Sequence, residues 1–274
     1  MNKKRKKTGR ITVTMAGILF FTTFYPFFLL ICGSLKDKIQ LIENPWFFEI
    51  PMYFKNYAVA AKQIIGPICN SIIITAGGIL LTLVFSGLAA YAIVYSNMPG
   101  KNAIYFYIIS LLMVPGFAIL IPQFIVVRDM GLYNTYLGQM LPMVANDTAM
   151  GTMLMCTFFR AIPSSVVEAA QIEGCGKMRL FLKMVIPLSK PIIATVSIMT
   201  GLAIWNNYLW PLIVTTGNKV IPVIVAITKI TADIKLGDGP AYAAYVIAAM
   251  PILILFAFAS KQFVEGMTAG AVKG

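Results

Sequence analysis

A chain of 274 residues that is 59% hydrophobic and 12% charged carries more apolar surface than a soluble core can hide, since ordinary soluble domains are about a quarter charged. The net charge of +12 would suggest nucleic acid in a soluble protein; beside this much apolar sequence it points instead to membrane sidedness and anionic lipid. The absence of histidine excludes His-ligated metal and Ser–His or Cys–His catalytic pairs, and the four cysteines (Cys32, Cys69, Cys156, Cys175) lack the CxxC spacing of zinc or redox sites, so neither catalytic nor metal-binding residues are expected.

Crossing a bilayer core of roughly 30 Å takes about 20 apolar residues in a helix. Six stretches meet that length: residues 11–32, 71–95, 103–127, 135–158, 191–214 and 241–260. A basic segment, residues 1–10, precedes the first. That first run is too long for a signal-peptide core, and bulky Ile31 stands before Cys32 where a lipoprotein site needs a small residue, so an uncleaved span is expected. Residues 33–70 then form a loop carrying Pro45-Trp46-Phe47-Phe48, aromatics suited to a membrane interface. Pro115 and Pro122 can kink the third span, and Ser86 with Ala90 allows close helix contact within the chain or with a second protein. Residues 159–190 form a long loop after the fourth span, residues 215–240 another after the fifth, and residues 261–274 a tail.

Placing the basic N-terminus inside puts 14 of the Lys and Arg on the inner side and 8 on the outer, while six of the ten acids lie outside. The net charges become +11 inside and +2 outside. The positive-inside rule therefore predicts a multi-pass protein with both termini, the 159–190 loop and the tail in the cytoplasm. Basic residues scattered over separate segments do not make a nucleic-acid surface, and no internal repeat supports an inverted-repeat transporter.

The 159–190 loop has its own pattern. Ser164 or Ser165 can cap a helix whose early Glu168 suits the N-terminal dipole. Val167, Ala170, Gln171 and Gly174 follow at helical spacing as a narrow face of mostly small side chains, on which a partner can approach the backbone. Gly174 and Gly176 permit a turn, Met178, Phe181, Leu182 and Val185 form a second apolar face, and Pro187 and Pro191 end the unit and start the next span. By pattern alone, a hairpin lying on anionic lipid accounts for this equally well.

Glu168-Ala169-Ala170, three residues, Gly174, nine residues and Met184-Val185-Ile186-Pro187 resembles the EAA motif of binding-protein-dependent ABC import permeases, with Met184 and Ile186 standing for that motif's Ile and Leu. Glu173 and Cys175 replace the Asp and Ala usual in the sugar subgroup. Trp205-Asn206-Asn207-Tyr208-Leu209-Trp210-Pro211-Leu212, Leu88-Ala89-Ala90-Tyr91-Ala92 with Gly100-Lys101, and the tail from Phe263 are similar to the shorter permease of the maltose-type carbohydrate group. The resemblance covers nearly the whole chain. It implies an all-α integral membrane protein with six transmembrane helices, a type I ABC importer permease fold with its core over residues 71–260 and a cytoplasmic coupling helix. It further implies a non-enzymatic subunit in the bacterial cytoplasmic membrane that works with a second permease, two ATPase subunits and an extracytoplasmic sugar-binding protein. Glu168, Ala169, Ala170, Gly174, Phe181 and Pro187 would then couple to the ATPase, and Glu265, Gly266, Gly270 and Lys273 of the tail would contact it. ATP would belong to the ATPases, since GxxxxGK[ST] is absent and no cofactor is expected in this chain.

Asp147, beside Asn146 and Thr148, is the one ionisable residue placed inside a span, where a charge costs roughly 2.5–3.5 kcal/mol unless it faces protein or water. A sugar contact and an interhelical hydrogen bond both remain open for it, as for Asn206 and Asn207; Trp205, Tyr208 and Trp210 fit packing or an interface as well as a sugar platform. The expected substrate pathway comprises Asn146, Asp147, Asn206, Asn207 and Tyr208. The alternatives are an ion-coupled secondary transporter using Asp147, or an ABC permease for a non-sugar solute.

Overall fold

The computed structural model describes residues 2–232 and 237–271, and every regular element among them is helical. In chain order these are α1 (Asn2–Ser34), α2 (Lys38–Glu43), α3 (Lys55–Tyr95), α4 (Lys101–Ser110), α5 (Gly116–Asp129), α6 (Tyr136–Phe159), α7 (Ser164–Ile172), α8 (Lys177–Leu180), α9 (Ile186–Leu188), α10 (Lys190–Trp205), α11 (Leu209–Val214), α12 (Val223–Ala232) and α13 (Asp238–Ala271). Thr12–Ser34 within α1, and α3, are each long and apolar enough to cross a bilayer; three bent pairs raise the number to five, and Asp238–Ile254 is a shorter apolar stretch. Length and apolarity alone therefore do not reach the expected count of six.

The helices form two compact units, one of residues up to Gly66 with Ala226–Met250, the other of Pro67–Val225 with the segment from Pro251. In the first, α1 presents an almost wholly exposed apolar surface, with Phe20, Phe21 and Phe24 outward. The segment expected to be a loop over 33–70 is largely helical: α2 is closed by a capping box between Asp37 and Gln40, and α3 starts at Lys55. A hydropathy ruler finds only the bilayer-length part of a helix, and the lysines of Lys55–Lys62 hid the turns before it. The Asn56 amide donates to the carbonyls of Ser34 (3.0 Å) and Lys36 (2.8 Å), pinning α3 to the end of α1. Trp46 stacks on Tyr25 with ring centroids 6.4 Å apart.

In the second unit, α3, α6 and α10 pack through small residues. Gly151 faces Ser86, Gly201 faces Ile79, Gly77 faces Met140 and Gly78 faces Ile204. Ser86 and Ala90 are fully buried within the chain, which assigns their close contact to the protein's own helices. Two expected spans are broken. The stretch 103–127 bends by 102° between α4 and α5, where Pro115 withdraws a donor, while Pro122 sits inside α5 without interrupting it. The stretch 191–214 is interrupted at Asn206–Tyr208, between α10 and α11. Residues 215–240, expected to be loop, include α12.

Gly138 is the tightest position in this unit. A Cβ there would fall 2.1 Å from the Leu132 carbonyl oxygen, a backbone atom that cannot swing aside. Gly138→Ala is expected to destabilise the protein by about 1–3 kcal/mol, read as a lowered thermal midpoint in detergent. Gly116→Ala, with open space around the added methyl, should leave that midpoint within a degree or two of the parent.

Candidate functional site

The segment between α6 and α10 builds a hairpin. α6 and α7 meet at 87°. α7 begins at Ser164, directly after Pro163, so proline rather than serine occupies the capping position that Ser164 or Ser165 was expected to fill. Its other end explains Gly174. That residue has φ +79°, and beyond it the Cys175 N–H reaches back to the Ala170 carbonyl at 3.0 Å, while the Glu173 N–H reaches that of Ala169 at 3.1 Å. This is a left-handed cap, a conformation that costs an L-residue roughly 1–2 kcal/mol. Gly176 has φ −65° and an ordinary extended backbone, so only the first of the two expected turn glycines is conformationally required.

The faces of the hairpin differ from those expected. Val167 and Ala170, the small face assigned to a partner, are buried in the chain's own core with Ala90, Ile93, Met155, Phe159 and Val196. Glu168 and Ala169 point outward. Past the turn, Leu180, Phe181 and Val185 are buried, whereas Met178 and Leu182, expected beside Phe181 and Val185, are 61% and 56% exposed. Residues Phe181–Val185 form a widened π-helical turn, which moves successive side chains off the regular 3.6-residue stripe. Pro187, expected to end the unit, lies within the following turn α9, so the wider turn upstream accommodates a residue with no N–H to give. The chain bends by 79° only at Ser189, before Pro191 opens α10.

Two tyrosines bolt this hairpin to α3. Tyr91 donates its hydroxyl to the Lys177 carbonyl at 2.8 Å and its ring lies 5.0 Å from that of Phe181. Tyr95 donates to the Phe159 carbonyl at 2.9 Å, closing the end of α6. Tyr91 stands in the sequence inside Leu88-Ala89-Ala90-Tyr91-Ala92, and its spacing one helical turn from Tyr95 is the signal there for this contact. The outer surface then consists of Ser165, Val166, Ala169, Glu173 and Met184, which with the edge of Ala170 line a concavity of about 390 Å³. Beside it stand Ile172 (87% exposed) and Lys177, Arg179 and Lys183.

A second feature lies between α6 and α10. Asn146, Asp147, Met150, Met199, Thr200 and Ala203, among others, line a cavity of about 270 Å³. The Asp147 Oδ2 is buried and accepts no hydrogen bond, so the interhelical bond weighed for this residue is not formed at that atom within the chain. Thr148 donates to its own helix at Val144. Asn206, Asn207 and Tyr208 do not line this cavity. The Asn206 amide donates to Leu202 at 2.9 Å, the Asn207 carbonyl accepts from the Trp210 N–H at 3.3 Å, and both thereby satisfy the backbone at the α10–α11 break. Trp210 is a packing residue, buried and donating its indole N–H toward the Gly138 and Gln139 carbonyls. Of the tail residues, Glu265, Gly266 and Gly270 fall in the last turns of α13, and Lys273 lies outside the described residues.

Residues 82–268 match the family model described as "Binding-protein-dependent transport system inner membrane component". The chain is 31% identical to the melibiose/raffinose/stachyose import permease protein MelC of Bacillus subtilis (strain 168), covering 100% of both chains. It is 28% identical to the arabinooligosaccharides transport system permease protein AraQ of the same organism, covering 97% of this chain and 96% of the relative. In fold it matches a chain from the crystal structure of a bacterial ABC transporter involved in the import of the acidic polysaccharide alginate, with TM-score 0.84 and 22% identity over 96% of this chain and 99% of that one.

The tyrosine bolts can be tested directly. Tyr91→Phe and Tyr95→Phe each delete one O–H donor to a carbonyl at the hairpin's base, a loss of about 1 kcal/mol. Limited trypsin digestion at Lys177 and Arg179 in membranes should then run about fivefold faster in each variant.

Proposed function

The chain belongs to the family of binding-protein-dependent transport system inner membrane components, and on that premise we propose that it is one of two membrane-spanning permeases of an ATP-driven importer for a sugar or oligosaccharide. The fold is that of an ABC importer permease. Full-length similarity to permeases named for melibiose and arabinooligosaccharides supports a carbohydrate cargo, and family membership favours ATP-driven import over ion-coupled transport. Both termini and the hairpin face the cytoplasm, in keeping with the excess of Lys and Arg on that side.

The observation that carries the reading is the hairpin's division of faces. Val167, Ala170, Leu180, Phe181 and Val185 are spent on the chain's own core, while Glu168, Ala169, Ile172 and Glu173 remain outward around a concave surface. An ATPase subunit docks on that outer face. When ATP closes the ATPase pair, the hairpin moves as one piece with α3, α6 and α10, and the pathway between the two permeases alternates in access. The Asn146–Asp147 cavity contributes to that pathway; Asn206, Asn207 and Tyr208 contribute the break that lets α10 and α11 diverge beside it. The tail residues Glu265, Gly266, Gly270 and Lys273 reach the ATPase pair, and an extracytoplasmic binding protein delivers the cargo.

Gly174→Asp tests this reading. It forces a side chain into the left-handed cap and sets a negative charge at a helix C-terminus, where the dipole opposes it. Sugar uptake by cells carrying the complete transporter should fall to background while the variant accumulates in the membrane at parental level. Undiminished uptake would remove the hairpin from the coupling mechanism.

A further inference from the structure

Among the described residues, Asp147 is the only ionisable one lining the cavity between α6 and α10. α6 contains no Lys or Arg, and α10 carries one, Lys190, at its first turn. Arg160 follows Asp147 by thirteen helical residues, roughly 20 Å along the chain, and Lys190 precedes Thr200 by ten, roughly 15 Å. No basic residue of these helices therefore neutralises the carboxylate. Neither does a hydrogen bond at Oδ2, which is buried without a donor. Thr148 of α6 and Ser197 of α10 are turned to their own helices, donating to the Val144 and Ile193 carbonyls.

A carboxylate in a membrane-spanning segment with neither counter-ion nor donor needs water or a ligand to complete its environment. The cavity supplies room: about 270 Å³ is the space of roughly nine waters, in a volume just under that of small-molecule pockets. The rest of the lining is neutral and largely apolar, with Met150, Leu154, Val196, Met199 and Ala203. Such a wall suits the face of a sugar ring, and the carboxylate accepts hydrogen bonds from ring hydroxyls.

This inference rests on the importer reading above. We propose that the Asn146–Asp147–Thr200 cavity is a charge filter on the translocation path, which passes neutral glycosides and amino sugars and turns away glycans bearing uronate groups. Hydroxyls and ammonium groups donate to Asp147. A uronate brings a second carboxylate beside an uncompensated first one, and no lining side chain stands ready to neutralise either.

The test reads local charge without requiring the cargo. The chain, co-expressed with its partner permease, ATPase and binding protein, is made cysteine-free by replacing Cys32, Cys69, Cys156 and Cys175. A single reporter is then placed at either of two exposed lining positions, Asn146→Cys or Ala203→Cys. Membrane vesicles, with and without ATP and vanadate, are treated with methanethiosulfonates carrying a trimethylammonium or a sulfonate group. Rates are normalised to those with a small thiol in solution. A nearby carboxylate slows thiolate formation equally for both reagents, so their ratio isolates the potential along the approach. The cationic reagent should react at least tenfold faster at either reporter; Asp147→Asn should bring the ratio within about twofold, and Asp147→Glu should restore it. No labelling at either position in either nucleotide state, or a bias that Asp147→Asn leaves intact, overturns the filter. Uptake measured with the parental chain separates the two readings: a carboxylate-dependent bias in the reporters beside a parental chain that imports no sugar overturns the importer assignment, and absence of bias beside one that does import overturns only this inference.

Discussion

The hairpin and the spans of this protein share one core. Val167 and Ala170 from α7, and Leu180, Phe181 and Val185 from the segment after the turn, are buried together with Ala90 and Ile93 of α3, Met155 and Phe159 of α6, and Ile192 and Val196 of α10. A loop held only by its two ends would bend when pushed. A loop whose inner face is closely packed against three helices moves with them, because packed cores transmit displacement instead of absorbing it. The tyrosine bonds from α3 to Lys177 and Phe159 add direction to that packing.

The same helix reaches a second fixed point. Near the other end of this part of α3, the Asn70 amide donates to the carbonyls of Lys219 (3.2 Å) and Ile221 (3.0 Å), and Ser71 accepts the N–H of Val223 at 2.8 Å. Tyr136 donates to Asn70, and Gln139 donates to Val220 at 2.9 Å, so three helical side chains hold an extended strap that would otherwise have no backbone partners. Asn70 and Tyr91 are 21 residues apart, roughly 32 Å along a helix, which is about the thickness of a bilayer core. One rod therefore carries a clamped strap and a clamped hairpin about the thickness of a bilayer core apart.

Between those points the fold tolerates broken helices because side chains complete the interrupted backbone. Asn206 and Asn207 each bond a main-chain group at the α10–α11 junction. Asp147 differs from these asparagines, since its buried Oδ2 accepts no hydrogen bond from its own chain. Irregular backbone and lone polar groups at membrane depth occur where protein or a water-filled cavity receives them, and here the cavity lined by Asp147 is such a place.

Composition and period determined the class of this protein: a lipid-facing chain is legible in apolar runs alone, and the left-handed turn at Gly174 is legible because glycine marks the conformations other residues avoid. The hairpin between α6 and α10 was legible from the spacing of its glycines and prolines as well. Tertiary structure decided which side of each helix faces inward. Val167 and Ala170 read as a partner-facing strip because smallness allows close approach without saying by whom, and the approach is made by α3 and α6. The stripe after the turn was misplaced because a π-turn changes the period on which the reading depended. The breaks at Pro115 and Asn206–Tyr208, the helical start of α3 at Lys55, and the solitary state of Asp147 depend on neighbours distant in sequence. Hydropathy sums residues one at a time; packing and hydrogen bonding depend on pairs, and only the folded chain brings the pairs together.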